Sequence, residues 1–151
     1  MVGFLVMALG LAEAQAAIAA ALDHAARTGL RIAVAVVDEG GVLVALGRMD
    51  GAPRFSPQMA EAKAAGAALW GLDRETVTHP RRSAGFMAEV RTRNRAPAQF
   101  GGLLFKTPLV GDTGSLLIRR GGAVLGAIGV SGASPEQETD CATAGLASFS
   151  R

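Results

Sequence analysis

The segment 31–38 constrains the fold more than any other, because it is apolar on both of its faces. Side chains of an extended strand point alternately to opposite sides. Here one side carries Ile32, Val34 and Val36, and the other carries Ala33, Ala35 and Val37. A strand with two apolar faces is typical of a sheet that is covered on both sides. We therefore expect a sheet between two helical layers.

The N-terminal half of the chain adds a second strand and two helices. Apolar residues at helical spacing predict an amphipathic helix over Leu11–Arg27. The turn 38–41 leads into a second strand over 42–49, so the two strands form a hairpin. Ser56-Pro57 predicts the N-cap and the first position of a helix that continues to about residue 70.

The C-terminal half predicts a second hairpin and a closing helix. Gly121-Gly122 is a strong two-residue turn signal between strands over Ser115–Arg120 and 123–130. A further strand is predicted over 103–110. The run Ser134-Pro135-Glu136-Gln137 predicts a helix start, with Ser134 as the cap and Gln137 completing a capping box.

This order of elements predicts the fold class. Hairpins outnumber crossover connections, which indicates a mostly antiparallel sheet with helices on its faces, an α+β fold. The length of 151 residues suggests a single domain over 1–151.

Composition and charge exclude several classes of function. Half of the residues are hydrophobic and only 19% are charged, which excludes an extended disordered protein. A net charge of +2 is too small to indicate nucleic-acid binding, and a chain with no Tyr and one Trp lacks a base-stacking platform. The single cysteine, Cys141, excludes an internal disulfide and a cysteine-cluster metal site.

The apolar run 2–11 raises the question of targeting. No Lys or Arg precedes Arg27, so the basic region of a signal peptide is missing. The run is also shorter than the roughly 20 residues that span a bilayer. We expect a cytoplasmic protein that is not embedded in a membrane, with secretion as the minority alternative.

Several motifs resemble the GlcG/HbpS family, also called the haem-degrading or PduO C-terminal-like domain. The matching blocks are Val36-Val37-Asp38-Glu39-Gly40-Gly41, Arg48-Met49-Asp50-Gly51-Ala52, Lys63, the run 122–133, Asp140 and Ala144-Gly145-Leu146. The resemblance covers residues 9–149. It implies a profilin-like fold with a five-stranded antiparallel sheet between helices. It also implies homo-oligomers, often tetramers or octamers, and haem or tetrapyrrole binding in some members.

Two departures from the family pattern bear on the ligand. A Pro-Gly-Gly-x-Pro-like segment of many members, which often lines the cavity, is replaced here by 111–116, so that Gly114 is a candidate ligand-binding position. An acidic residue commonly precedes the helix lysine, but here Ala62 precedes Lys63. An iron site built on that acidic residue and the lysine is therefore in doubt.

The candidate cations are Lys63 and Arg48. Lys63 lies at the edge of the apolar stripe of its helix, where it is either a partly desolvated base or anion binder, or a lysine that extends to solvent. Arg48 closes the second strand and either binds a ligand carboxylate in bidentate fashion or forms a structural pair with Asp50. Asp50 either contributes to ligand binding or satisfies backbone N–H groups in a turn.

The candidate anion site is the turn 129–134 at the start of the last helix. Free N–H groups at Ser131, Gly132 and Ala133 and the helix dipole favour a bound carboxylate or phosphate, although the same residues also suit a tight turn. Glu138 and Asp140 on the first turns either complete a polar cluster for proton transfer with Lys63 and Arg48, or are surface acids that complement the dipole.

His24 is the candidate haem ligand, because it lies on a well-predicted helix beside the apolar stripe. The alternative is an exposed histidine without a ligand. His79, in a predicted loop, is a weaker candidate, and two histidines make a zinc site improbable.

Three hypotheses follow for the function. The first is an oligomeric protein that binds haem or another planar carboxylated ligand. The second is a cofactor-independent isomerase, lyase or hydrolase acting on a small oxo-acid or aromatic metabolite, with Lys63 as base, Arg48 as clamp and Glu138 or Asp140 as acid. The third is an interaction module that uses the arginine-rich segment 74–95. The first two require the side chains of Arg48 and Lys63 to converge at the start of the last helix.

Overall fold

The structure, a computed structural model, describes residues 8–71 and 114–150. Its helices are α1 (Leu11–Arg27), α2 (Ser56–Trp70) and α3 (Pro135–Leu146), and a short 3-10 helix (Ala147–Ser150) follows α3. Its strands are β1 (Ala33–Asp38), β2 (Leu43–Arg48), β3 (Ser115–Arg120) and β4 (Ala123–Ser131). The predicted strand 103–110, the arginine-rich segment 74–95 and His79 lie outside the described residues.

The described strands form one antiparallel sheet in the order β2-β1-β4-β3. β1 is central, because it pairs with β2 on one side and with β4 on the other. The register aligns Arg48 of β2 with Ala33 of β1, and Ala33 with Ser131 of β4. The end of β2, the start of β1 and the end of β4 therefore meet at one end of the sheet.

Helices cover both faces of this sheet, as the two apolar faces of β1 predicted. α1 and α3 pack on the face that carries Val34, Val36, Ile128 and Val130. α2 packs on the opposite face, where Ala60, Ala64 and Ala67 contact β1 and β4. Every residue from Ile32 to Val37 is fully buried. The α+β architecture with an antiparallel sheet is thus confirmed, with four strands in the described part rather than the expected five.

The small residues of α2 explain how closely it approaches the sheet. A Cβ added at Gly129 would lie 2.2 Å from the Ala60 carbonyl oxygen and 2.7 Å from the Ala64 amide nitrogen. Only glycine fits on the strand at this crossing. The backbone of α2 is therefore held directly against β4, and Lys63 projects from this tightly packed helix.

The turn predictions are mostly confirmed. Gly121 and Gly122 have φ values of +56° and +82°, as a two-residue hairpin turn requires. Asp38 Oδ1 accepts hydrogen bonds from the N–H groups of Gly40 and Val42, both at 2.9 Å, and so closes the first hairpin. Ser134 caps α3, since its hydroxyl accepts from the Gln137 N–H at 3.3 Å.

The predicted cap of α2 is wrong. The N-cap is Phe55, and Ser56 is the first helical residue. The Ser56 hydroxyl instead donates to the Pro53 carbonyl oxygen at 2.6 Å and is fully buried. Because the hydroxyl is turned back toward the preceding loop, it does not accept from an N–H of the first helical turn.

Among the described residues, no helix is both long enough and apolar enough to cross a membrane.

Candidate functional site

Lys63 forms the centre of a buried ion pair. Its side chain leaves α2 and places Nζ 2.7 Å from Glu138 Oε2 on α3, and Nζ also donates to the Val130 carbonyl oxygen at 3.3 Å. Lys63 is only 4% exposed and Glu138 only 5%. The pair therefore connects the helical layers on the two faces of the sheet at the end of β4.

The second oxygen of the Glu138 carboxylate binds the turn before α3. Oε1 accepts hydrogen bonds from the N–H groups of Gly132 at 3.0 Å and Ala133 at 3.3 Å. The sequence predicted that this turn would bind an anion, and the anion in this structure is the carboxylate of the chain itself. Free N–H groups at a helix start favour a negative charge for the same reason in either case.

Gly114 leaves the space that the Glu138 side chain occupies. A Cβ at Gly114 would lie 2.8 Å from Glu138 Cβ and 2.9 Å from Oε2, and the φ of +86° also favours glycine. The Gly114 carbonyl oxygen accepts from the Val130 N–H at 2.8 Å, which aligns the start of β3 with β4. Gly114 thus belongs to the same cluster as Lys63 and Glu138.

The structure does not bring Arg48 and Asp50 into this cluster. Both residues are exposed, and within the described ranges neither has an ion pair with the other or with any other residue. Arg48 lies at the correct end of the sheet, because it is in register with Ala33 and Ser131. Opposite residues of an antiparallel pair share a face, and Ala33 packs against α2, so Arg48 also lies on the α2 face.

Asp140 and Glu138 are two residues apart on α3, so their side chains lie on different sides of the helix. The buried positions of α3 are Glu138, Cys141, Ala142 and Gly145, which follow the spacing of one helix face. Asp140 is off this face and exposed. Ser131, by contrast, is only 2% exposed at the end of β4, next to Gly132.

His24 lies on the side of α1 that contacts α3. A Cβ at Gly145 would meet the Ala17 carbonyl oxygen at 2.9 Å and Ala21 Cβ at 3.4 Å, which places this side of α1 against α3. His24 follows Ala21 by three residues and Ala17 by seven, so it shares their side of the helix. It is half-buried, and its ring makes no hydrogen bond within the described part of the chain.

The sheet therefore separates the candidate haem ligand from the candidate carboxylate clamp. His24 lies with α1 and α3 on one face, whereas Arg48 lies on the α2 face. Of the two predicted cations, Lys63 contacts the start of α3 and Arg48 makes no contact there among the described residues. The described residues therefore do not show the predicted convergence of Arg48 and Lys63. No group of three or more His, Cys, Asp or Glu side chains in the described ranges is arranged to hold a metal ion.

Burial decides what chemistry the Lys63–Glu138 pair can perform. An ammonium that donates to a carboxylate and a carbonyl, and is almost entirely enclosed, is a structural cation rather than an accessible base. The pair fixes the turn 131–134 and the start of α3 relative to α2. A role in acid–base chemistry would require a substrate to displace one of the two partners.

A separate cavity of about 360 Å³ lies at the opposite end of the sheet. It is lined by the apolar residues Leu9, Val44, Val124 and Leu125 and by the acidic residues Asp38 and Glu39. Its volume is at the lower limit for a small-molecule site. The residues that the structure describes around this cavity include no histidine, Lys or Arg, so these walls differ from the haem site that the sequence predicted.

One contributor to the cluster could not be predicted from the sequence. The Val130 carbonyl oxygen is a backbone acceptor for Lys63, and no side-chain pattern indicates it. The inward direction of Glu138, however, was available from the sequence, because Glu138, Cys141, Ala142 and Gly145 follow one helical stripe.

Comparisons with known proteins agree with the architecture. The chain matches the family model described as "Haem degrading protein HbpS-like" over residues 9–147. No curated protein matches it.

Solved structures provide three similar folds. A double Glu-to-Asp variant of HbpS from Streptomyces reticuli has 29% identity and a TM-score of 0.74, with 93% of this chain and 86% of that chain covered. Protein ORFY from Klebsiella pneumoniae has 26% identity and a TM-score of 0.67, covering 94% and 90%. PduOC in a complex with haem has 26% identity and a TM-score of 0.68, covering 93% and 94%. The chain therefore belongs to the HbpS-like family, whose model is described as "Haem degrading protein HbpS-like".

Proposed function

We propose that this protein binds a haem-class tetrapyrrole on the side of the molecule formed by α1 and α3, with His24 as the ligand to iron. The observation that supports this proposal most is the family match over residues 9–147, together with a similar structure, PduOC, that was solved with haem.

The donor set on this side fits the group. Haem iron supplies a coordination position that an imidazole fills. His24 is half-buried on α1, beside α3, and its ring is not engaged by any described residue. The Thr28 hydroxyl donates to the His24 carbonyl oxygen at 2.9 Å, which fixes the backbone but leaves the imidazole free to bind.

The other candidate residues have different roles in this proposal. Arg48 lies on the α2 face and Asp50 follows it in the turn after β2, so neither is assigned to the iron site. Lys63, Glu138 and Gly114 hold the start of α3, together with Ser131, Gly132 and Ala133, and thereby fix the helix that lies beside His24. Because Lys63 is enclosed, the described geometry favours binding over the isomerase, lyase or hydrolase alternative, in which Lys63 and Asp140 would act as base and acid.

The remaining expectations complete the proposal. We infer that residues 1–151 form a single profilin-like domain with a five-stranded antiparallel sheet. We also infer a homo-oligomer, a tetramer or octamer as the family resemblance implies, located in the cytoplasm. The similarity to PduOC and HbpS over more than nine-tenths of this chain supports the fold part of this inference.

Titration with haemin tests the proposal. Purified protein is expected to shift and sharpen the Soret band of haemin with a saturating, stoichiometric end point. His24→Ala is expected to weaken binding at least about tenfold, since a metal–ligand bond is lost. A wild-type protein that produces no Soret shift would refute the proposed function.

His79→Ala is the matched control, because His24 and His79 are the only two histidines of the chain. It is expected to leave the titration unchanged. A loss of binding in His79→Ala, with normal binding in His24→Ala, would keep the haem class but remove His24 from the iron. Far-ultraviolet circular dichroism of each variant establishes that the fold is intact.

A further inference from the structure

The turn that follows β2 is held by uncharged residues. The Met49 N–H donates to the Ile32 carbonyl oxygen at 2.9 Å, and Met49 Sδ accepts from the Ile32 N–H at 3.5 Å. The Ala52 N–H donates to the Met49 carbonyl oxygen at 3.1 Å, across a positive φ of +80° at Gly51. Among the described residues, no charged side chain takes part in these contacts, so the turn is complete without the charged residues of the motif 48–52.

Arginine side chains at this end of the sheet are exposed. Arg48 ends β2, Arg31 precedes β1, and Arg54 lies between the turn and α2. Arg31 Nη1 donates to the carbonyl oxygen of the adjacent residue Leu30 at 3.1 Å, which leaves its charge without an acidic partner. Within the described ranges, none of these three arginines forms an ion pair. Their guanidinium groups are therefore available to an external anion.

The side chain of Arg31 reaches the turn that Arg48 begins. Arg48 is in register with Ala33, which follows Arg31 by two residues in the chain. Arg31 Cγ and Cδ would each lie 3.9 Å from a Cβ at Gly51, so the stem of Arg31 lies against the turn. The two arginines therefore occupy adjacent segments at one end of the sheet.

The loop that carries Arg54 packs beside the Arg31 segment. A Cβ at Gly132 would lie 2.7 Å from the Arg31 carbonyl oxygen and 3.3 Å from Pro53 Cδ, so both segments lie close to this one glycine. Phe55 follows Arg54 and is 59% exposed, the highest value among the described large apolar residues. These residues thus form one surface, the arginine end, which consists of Arg31, Arg48, Arg54 and Phe55.

The charge of the arginine end is positive. Asp50, which is also exposed, offsets one of its three arginines, and the first turn of α2 contains no acidic residue. Glu136 belongs to α3, which packs on the opposite face of the sheet. A guanidinium group binds two oxygens of one phosphate or carboxylate at once, which an ammonium does not. Several guanidinium groups therefore suit a ligand with more than one anionic group.

Phe55 adds a requirement for the uncharged part of the ligand. An exposed aromatic ring stacks favourably on a planar ring of a ligand. One such ring suits a single planar group rather than a run of bases. The arginine end therefore fits a small molecule that joins a planar ring to a chain of phosphates.

We propose that the arginine end binds a nucleoside diphosphate or triphosphate, with the phosphates on Arg31, Arg48 and Arg54 and the base on Phe55. A single carboxylate would occupy one guanidinium group and leave the others unpaired, whereas a chain of phosphates engages several. Arg48 lies on the opposite face of the sheet from His24, so the proposal does not depend on haem binding.

Isothermal titration calorimetry of the full chain with adenosine diphosphate tests this site. The wild type is expected to bind one molecule per chain, to bind pyrophosphate more weakly, and to give no measurable heat with adenosine. Arg48→Gln and Arg54→Gln are each expected to raise the dissociation constant at least about fivefold, since each removes a charge-assisted hydrogen bond. Arg27→Gln is the matched control, because Arg27 is exposed on α1 and pairs with Asp23 at 3.0 Å, and it is expected to keep the wild-type affinity.

Phe55→Ser separates the contribution of the ring from that of the phosphates. It is expected to weaken the binding of adenosine diphosphate at least about threefold and to leave the binding of pyrophosphate unchanged. The proposal is overturned if adenosine diphosphate shows no saturable binding at millimolar concentration, or if the variant with all three arginines changed to Gln binds it as the wild type does. Equal affinities of the wild type for adenosine diphosphate and pyrophosphate, with no effect of Phe55→Ser, would also overturn the assignment to a nucleotide. All of these side chains are exposed, so the variants are expected to keep the fold, which circular dichroism verifies.

Discussion

Lys63 Nζ lies 2.7 Å from Glu138 Oε2 in the interior of the protein, so that a helix on one face of the sheet is ionically bonded to a helix on the other. The same carboxylate accepts from Gly132 and Ala133, and the same ammonium donates to Val130. Because every partner is internal, we expect the pair to act on stability first and on ligand binding only through the position of α3.

Lys63→Met is expected to destabilise the fold by about 3–5 kcal/mol, since it leaves the Glu138 carboxylate buried without its cation. Urea unfolding followed by circular dichroism measures this change. Arg27→Met is the control, because the Arg27–Asp23 pair at 3.0 Å is exposed and is expected to contribute less than about 1 kcal/mol.

The double variant Lys63→Met with Glu138→Gln completes a thermodynamic cycle. It is expected to be destabilised by less than the sum of the two single variants, because it removes both charges together. Additive losses would mean that the two side chains contribute independently, in contradiction to the ion pair.

Gly114→Ala is expected to destabilise the protein by more than Gly71→Ala. Both glycines have a positive φ, +86° and +64°, so an alanine is strained by about 1–2 kcal/mol at either position. Only Gly114 faces Glu138 and the Val130 carbonyl oxygen at 3.0 Å or less, whereas no heavy atom lies within 4 Å of a Cβ at Gly71. The added clash is expected to cost roughly 1–3 kcal/mol more. Equal losses in denaturant unfolding would contradict the close packing around Glu138.

The thiol of Cys141 is expected to be inert in the folded protein. Burial, together with the neighbouring carboxylates of Asp140 and Glu138, raises the pKa of the Cys141 thiol to about 11. At pH 8 roughly a thousandth of the thiol is then ionised, and the thiolate is the reactive form. A chromogenic disulfide reagent is expected to label one thiol per chain in guanidinium chloride and almost none in native buffer. Rapid labelling of the native protein would show that α3 opens readily.

The contact between Glu13 and Arg120 makes a pH-dependent contribution to stability. The hydrogen bond from the Gly10 N–H lowers the pKa of Glu13 below its ordinary value of 4.5, burial opposes this, and Arg120 lowers it further. A carboxyl whose pKa is depressed by folding stabilises the protein above pH 4.5, and this contribution is lost as the pH falls through the folded-state pKa. Glu13→Gln is therefore expected to lose up to about 1 kcal/mol at pH 7, because both side chains are partly exposed. The difference from wild type should vanish in acid, and a constant difference at all pH values would exclude the ionised form as its source.

The sequence predicted the layers of this fold better than the contacts at the end of the sheet. The two apolar faces of β1 required two helical layers, and Gly121-Gly122 and Ser134 are local signals that depend on few neighbours. Ser56 was misassigned as a cap because a serine before a proline has the same pattern whether its hydroxyl turns toward the helix or toward Pro53.

The candidate site shows the same limit. Lys63 and Glu138 are 75 residues apart, and only the packing of α2 against β4 determines that they meet. Arg48 matched the family motif equally well, but its register with Ala33 places it at an outer strand of the described sheet. The sequence pattern identified the charged residues. Whether each side chain is buried, however, depends on the helices and strands that pack against it, and the sequence pattern does not show this.

The most direct test of the account is the electron paramagnetic resonance spectrum of the ferric haem complex, because it reports the ligands of the iron. The account predicts a histidine-ligated signal in the wild type and in His79→Ala. In His24→Gly the signal should be lost, and added imidazole should restore it. A His24→Gly complex with the wild-type spectrum would contradict the assignment of His24 to the iron.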